Sequence, residues 1–136
     1  MLKIYSKCNN KLLHLVYQAD EFCDGMTELV SPDNFIQCMF LKASKGKSWK
    51  PHQHKWRETP NKQTIAQESW VVVRGAAKAF FYDVDGTLLT SIIVKAGDIT
   101  FTLEGGHHFE IIEDNTMVYE FKTGPYEGVE KDKVFL

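Results

Sequence analysis

Long apolar runs, paired cysteines and a surplus of charge of either sign are all missing from this chain. No stretch approaches the roughly 20 apolar residues that a membrane-spanning helix needs, so no membrane partner is expected. Cys8, Cys23 and Cys38 are odd in number and lack the C-x-x-C spacing of a zinc or redox site. They read as reduced thiols that pack as small apolar groups rather than attack as nucleophiles. Basic residues number 16 and acidic ones 18, a formal charge of −2. That balance excludes an obvious nucleic-acid binder, which needs a basic field to capture phosphates. The opening residues, Met1-Leu2-Lys3-Ile4-Tyr5-Ser6, hold no apolar core like that of a secretion signal. No internal repeat, low-complexity tract or linker interrupts the chain. A cytoplasmic protein with one domain over residues 1–136 is expected, long enough to bury most of its apolar surface without staples.

What is present is a period of two. Candidate strands cover residues 35–42, 69–74, 77–84, 87–95, 99–103, 107–112 and 116–122. Each is rich in the β-branched and aromatic residues that suit a pleated, half-buried surface. Turn signals separate them: Asp85-Gly86, Ala96-Gly97-Asp98, Gly105-Gly106 and Asp114-Asn115. Residues 11–18 fit a short helix or an early strand equally well. The polar stretch 55–67, with Pro60-Asn61, reads as a long loop. So many short strands at this spacing predict an all-β, antiparallel sandwich or barrel.

Four of the 5 histidines fall in two clusters. His52 and His54 stand two apart, which on a strand sends both imidazoles to one face. Glu68 follows the loop and opens the strand Glu68-Ser69-Trp70-Val71-Val72-Val73-Arg74-Gly75. His107-His108 opens a later strand, just after Gly105-Gly106. Three imidazoles and one carboxylate from adjacent strands suffice to ligate a divalent transition metal and leave positions open.

These residues resemble the cupin family. Its first motif, G-x5-H-x-H-x3,4-E-x6-G, is matched in two halves. Gly46, His52 and His54 match the first half, and Glu68 with Gly75 the second, across a gap longer than the motif allows. Glu58 fits the ordinary gap but has no glycine at the required distance, so Glu68 takes the ligand role. The second motif, G-x5-P-x-G-x2-H-x3-N, is matched at Gly97, Gly105 and His108, with Leu103 for its proline and Ile112 for its asparagine. Motif counting favours His108. Parity favours His107, whose face continues through Phe109 and Ile111, beside an alternating strand with Met117, Tyr119 and Phe121 on one apolar side. His107 is therefore preferred, with His108 as second choice. Gly105-Gly106-His107 and the later Gly124-Pro125-Tyr126 are also similar to small cupins linked to surface-polysaccharide genes.

The resemblance implies a double-stranded β-helix, the cupin jelly-roll barrel, with its core at residues 35–122 and an extension at 1–30 that pairs two subunits. It implies one divalent metal ion (zinc, iron, nickel or manganese) on His52, His54, Glu68 and His107. The expected function is isomerisation or epimerisation of a sugar or nucleotide sugar by a metal-dependent homodimer. A non-catalytic sugar-binding or regulatory cupin, an iron-dependent dioxygenase and a metal-dependent lyase are the alternatives. Arg74, Trp70 and Tyr119 are candidate substrate contacts. Trp49 and Trp56 flank the site, Lys45, Lys47, Lys50 and Arg57 add charge, and Tyr82 and Glu120 are further acid/base groups. His14 stands alone and receives no role.

A second motif points elsewhere. Asp83-Val84-Asp85-Gly86-Thr87-Leu88 matches the D-x-D-G-T-L nucleophile motif of haloacid-dehalogenase-type phosphatases. That chemistry needs an α/β domain downstream, and the residues after Thr87 read as strands. The expected meaning is a hairpin turned at Asp85-Gly86, with no chemistry at Asp83.

Overall fold

In a computed structural model of the chain, residues 1–21, 25–31, 33–42, 45, 64–124 and 129–136 are described. The elements are almost all strands: β1 (Leu2–Tyr5), β2 (Leu12–Tyr17), β3 (Gly25–Glu28), β4 (Met39–Lys42), β5 (Glu68–Arg74), β6 (Ala76–Tyr82), β7 (Leu88–Lys95), β8 (Ile99–Thr102), β9 (Gly106–Ile111) and β10 (Met117–Lys122). One turn of 3-10 helix spans Ala19–Glu21, and α1 spans Val129–Asp132. No helix among the described residues is long and apolar enough to cross a membrane.

Every strand pairing is antiparallel. A large sheet has the order β1-β2-β8-β5-β10, a small sheet the order β7-β6-β9, and β3-β4 form a separate hairpin. The fold is all-β, as expected, and no closed barrel forms among the described residues.

Period-two alternation lets the large sheet bury both faces. On one face Ile4, Val16 and Val72 pack against Ala77, Ala79, Phe81 and Val94 of the small sheet. On the other, Leu15, Tyr17, Ile99, Phe101 and Leu103 pack beneath Leu29, Val30 and Ile36. Within residues 11–18, Leu12–Tyr17 resolves as a strand, because Leu15 and Tyr17 serve one core and Val16 the other. Within the first thirty residues, β1 and β2 belong to the large sheet, with β2 pairing to β8 in its interior, while β3 lies in the separate hairpin.

Three expectations change. The strand at 35–42 shrinks to β4, because Gln67 captures the amide of Ile36 with Oε1 at 2.9 Å and holds that stretch as a turn. The Asp85-Gly86 hairpin is a wider turn than expected. The Asp83 amide donates to the Thr87 carbonyl at 2.8 Å, Gly86 takes φ 84°, and the register shifts between Phe81 and Tyr82. Finally, Met117, Tyr119 and Phe121 face outward, at 45%, 59% and 57% exposure. Val118 lies opposite Val72, Glu120 opposite Trp70 and Lys122 opposite Glu68, so it is the other parity of β10 that faces the small sheet.

Candidate functional site

One transverse row of the large sheet carries four polar side chains beside one apolar one. Register places Ile4, His14, Thr102, Glu68 and Lys122 side by side on the face toward the small sheet. Across the gap, β9 aims His107 at this row, and His107 Nε2 lies 3.0 Å from Glu68 Oε1. The glycine before β9 sets that approach. Gly105 takes φ 82°, and a Cβ there would lie 2.6 Å from the Tyr82 carbonyl oxygen, so only glycine fits without strain.

Glu68 is 7% exposed. Burial works against its charge, but the bond and charge of His107, the Lys133 ammonium and the Trp70 N–H together lower its pKa. The Trp70 indole N–H is shared between Glu68 Oε1 at 3.1 Å and Glu120 Oε2 at 3.2 Å. One face of that indole is covered, because Trp70 and Phe109 stack at 4.0 Å between centroids. His107 Nδ1 is buried and has no hydrogen-bond partner among the described residues.

His14, to which no role is assigned from its place in the sequence, is fully buried at the same end. Its ring packs 4.8 Å from that of Phe81. Because a carbonyl only accepts, Nε2 donates to Tyr82 O at 3.1 Å, leaving Nδ1 to accept from Thr102 Oγ1 at 3.3 Å. Burial chiefly pushes the His14 pKa down to about 4, against the pull of the Tyr82 carbonyl, with the charge of His107 lowering it further. His14 is a neutral core histidine. The signal that would have found it is the parity of β2, which seats it beside Val16 and Ile4.

The remaining candidates disperse. His108 is exposed on the outer face of β9, 5.4 Å from the Phe80 ring. Ile111, expected to continue the inward face of His107, is 52% exposed where β9 ends. Arg74 lies at the far end of β5, about 20 Å along the strand from Glu68, and its Nε donates to Asn115 O at 2.9 Å. Tyr119 pairs with Val71 on the face opposite Trp70 and Glu120. Neither residue joins Glu68. Tyr82 lies beside Gly106 on the outer face of β6, and Lys45 is exposed. His52 and His54 lie outside the described residues, as do Gly46, Glu58, Trp49, Trp56, Lys47, Lys50, Arg57, Pro125, Tyr126 and Cys23.

The phosphatase-like motif is structural. Asp83 is 2% exposed, and its carboxylate accepts from Ser6 Oγ at 2.6 Å, Lys7 N at 2.6 Å and Val84 N at 2.8 Å. With Cys8 and Asp85 it forms the only grouping of three metal-capable residues among those described. Its oxygens already clasp the β1–β2 turn to the β6–β7 turn. Cys8, expected inside, is exposed in that first turn, while Cys38 is partly buried.

Two ligands about 2.1 Å from one ion and at right angles stand about 3.0 Å apart. The Glu68–His107 separation of 3.0 Å therefore suits a shared ion as well as a hydrogen bond. Comparison of the chain with family models, with curated proteins and with solved structures gave no match.

Proposed function

We propose that the chain is a cupin-like jelly roll that acts, with one divalent transition metal, on a small polar substrate. The observation that carries this is the meeting of Glu68 and His107 from facing sheets at 3.0 Å, at the polar end of an apolar core. The order in which the chain visits the sheets supports the jelly roll: β5, β8 and β10 enter the large sheet, β6, β7 and β9 the small one. Glu68 and His107 would hold the ion, with His52 and His54 completing the set on the cupin resemblance. The ion would supply Lewis acidity to a substrate carbonyl or hydroxyl. The Trp70 N–H keeps Glu68 turned toward His107 and Glu120 beside them. An isomerisation needs a base that takes a proton from one carbon and returns it to the next, and the exposed Glu120 carboxylate, bonded to the Trp70 N–H, would be the candidate for that task. Sugar or nucleotide-sugar isomerisation or epimerisation by a homodimer remains the substrate and assembly reading, resting on the resemblance.

A second reading follows from the unpartnered Nδ1 of His107. If Nε2 donates its hydrogen to ionised Glu68, Nδ1 keeps a lone pair, and the two form a metal-free acid/base dyad. Elemental analysis separates the readings. Protein purified without chelator or metal-affinity tag should carry about one divalent ion per chain. Glu68→Gln and His107→Ala should each lower that content sharply, as should His52→Ala with His54→Ala, whereas His108→Ala should not. Wild-type protein free of metal would sink the first reading and favour the dyad.

A further inference from the structure

Residues 129–136 lie at the end of the sandwich where Glu68 and His107 meet. This segment is anchored on both sheets. On the large sheet, Lys122, the register neighbour of Glu68, donates from Nζ to Asp132 Oδ2 at 2.7 Å. Both side chains are well buried, at 16% and 13% exposure. On the small sheet, Leu136 lies against two glycines. A Cβ on Gly106 would stand 2.6 Å from Leu136 Cδ1, and one on Gly86 3.2 Å from Cδ2. Gly106 immediately precedes His107. From Asp132 to Leu136 an extended chain reaches about 13 Å, enough to bridge packed sheets about 10 Å apart. Between the anchors, the charge of Lys133 acts on Glu68.

The span is lightly held. Val134 is 91% exposed, Phe135 82% and Leu136 73%, so little apolar burial fastens it. We propose that residues 129–136 are a strap that closes the Glu68–His107 end and swings away for a ligand to enter or leave, with the Lys122–Asp132 ion pair as its latch. This inference rests on reading that end as the binding site. A segment whose contacts among the described residues include one ion pair and one largely exposed leucine opens at small free-energy cost, as loops that admit ligands must.

The test reads access to His107 directly. Wild type, Asp132→Asn and Leu136→Ser are compared by hydrogen exchange of residues 129–136 and by carbethoxylation of His107 with diethyl pyrocarbonate, resolved from His108 by peptide fragmentation. Loss of either anchor should speed exchange across the strap and raise the His107 rate about fivefold or more. In Asp132→Asn the rate at His108, on the outer face, should not change. Equal His107 rates in all three proteins would overturn the proposal, as would strap exchange unaltered by both substitutions. Melting curves verify the fold of each variant, and either variant alone decides if the other fails to fold. The measurements are repeated after dialysis against EDTA, so that a bound metal is not what shields His107. A protein that binds no metal yet shows these changes would refute the metal reading and leave the strap intact.

Discussion

Asp83 and His14 are buried polar side chains with opposite electrostatic tasks. Asp83 stays ionised: burial opposes its charge, but Ser6 and the amides of Val84, Lys7 and Cys8 outweigh that and hold its pKa down at about 2. Asp83→Asn should therefore lower the melting temperature by several degrees, because an amide accepts these close bonds less strongly and brings its own donors. It should not remove a phosphatase activity. His14 stays neutral, with a pKa near 4 against an ordinary 6.5. Below pH 6.5 the unfolded chain takes up this proton while the folded chain does not. Stability should then fall as pH drops from about 6.5 to about 4, by on the order of 3 kcal/mol, and the His14 contribution should level off below that. Asp83 adds a second loss between pH 3.8 and about 2, where only the unfolded carboxylate is protonated. Urea denaturation of wild type and His14→Gln across pH 7 to 4 checks the first window, and the variant should show the shallower slope. Neither role was legible beforehand. The sequence shows which residues are polar, and only the pairing of distant turns shows which are enclosed.

Strand β10 tests the parity argument at the level of the element. Its alternation was visible, but alternation does not say which face turns inward. Apolarity alone predicts Met117, Tyr119 and Phe121 as the lining, and the register with β5 puts them outside. His107 faces inward and His108 outward even so, because Phe109 shares the His107 face and packs against the inter-sheet core. Val118→Asp should cost about 3 kcal/mol or more by burying a charge between the sheets. Tyr119→Asp should stay within about 0.5 kcal/mol, as thermal or denaturant melts of the two proteins would show. Glycine spacing was the more dependable guide. Gly105→Ala should cost on the order of 1–3 kcal/mol, since the left-handed backbone admits a Cβ only against the Tyr82 carbonyl. The same substitution should weaken any property that depends on the placement of His107.

For the whole molecule, the strands from β5 onward lie within a residue or two of their expected positions, because alternation and turn residues are local signals. The all-β, antiparallel class follows from their number and spacing. The sequence by itself also determined that Glu68 and His107 open strands with their side chains on the faces shared by Trp70 and Phe109. Only the tertiary structure decided that these two faces meet. Phe81, fully buried between the sheets, joins them, and Phe81→Ala should cost about 3–5 kcal/mol in a denaturant melt. Tertiary structure likewise decided that Arg74 and Tyr119 stand away from the pair, that Gln67 fastens the β3–β4 region to β5, and that residues 129–136 lie at the end where Glu68 and His107 meet. The physical reason is the range of the forces involved. Side-chain alternation is set by neighbouring peptide units and can be read along the chain. Register across sheets is set by packing between residues tens of positions apart, and no local pattern encodes which distant partner wins.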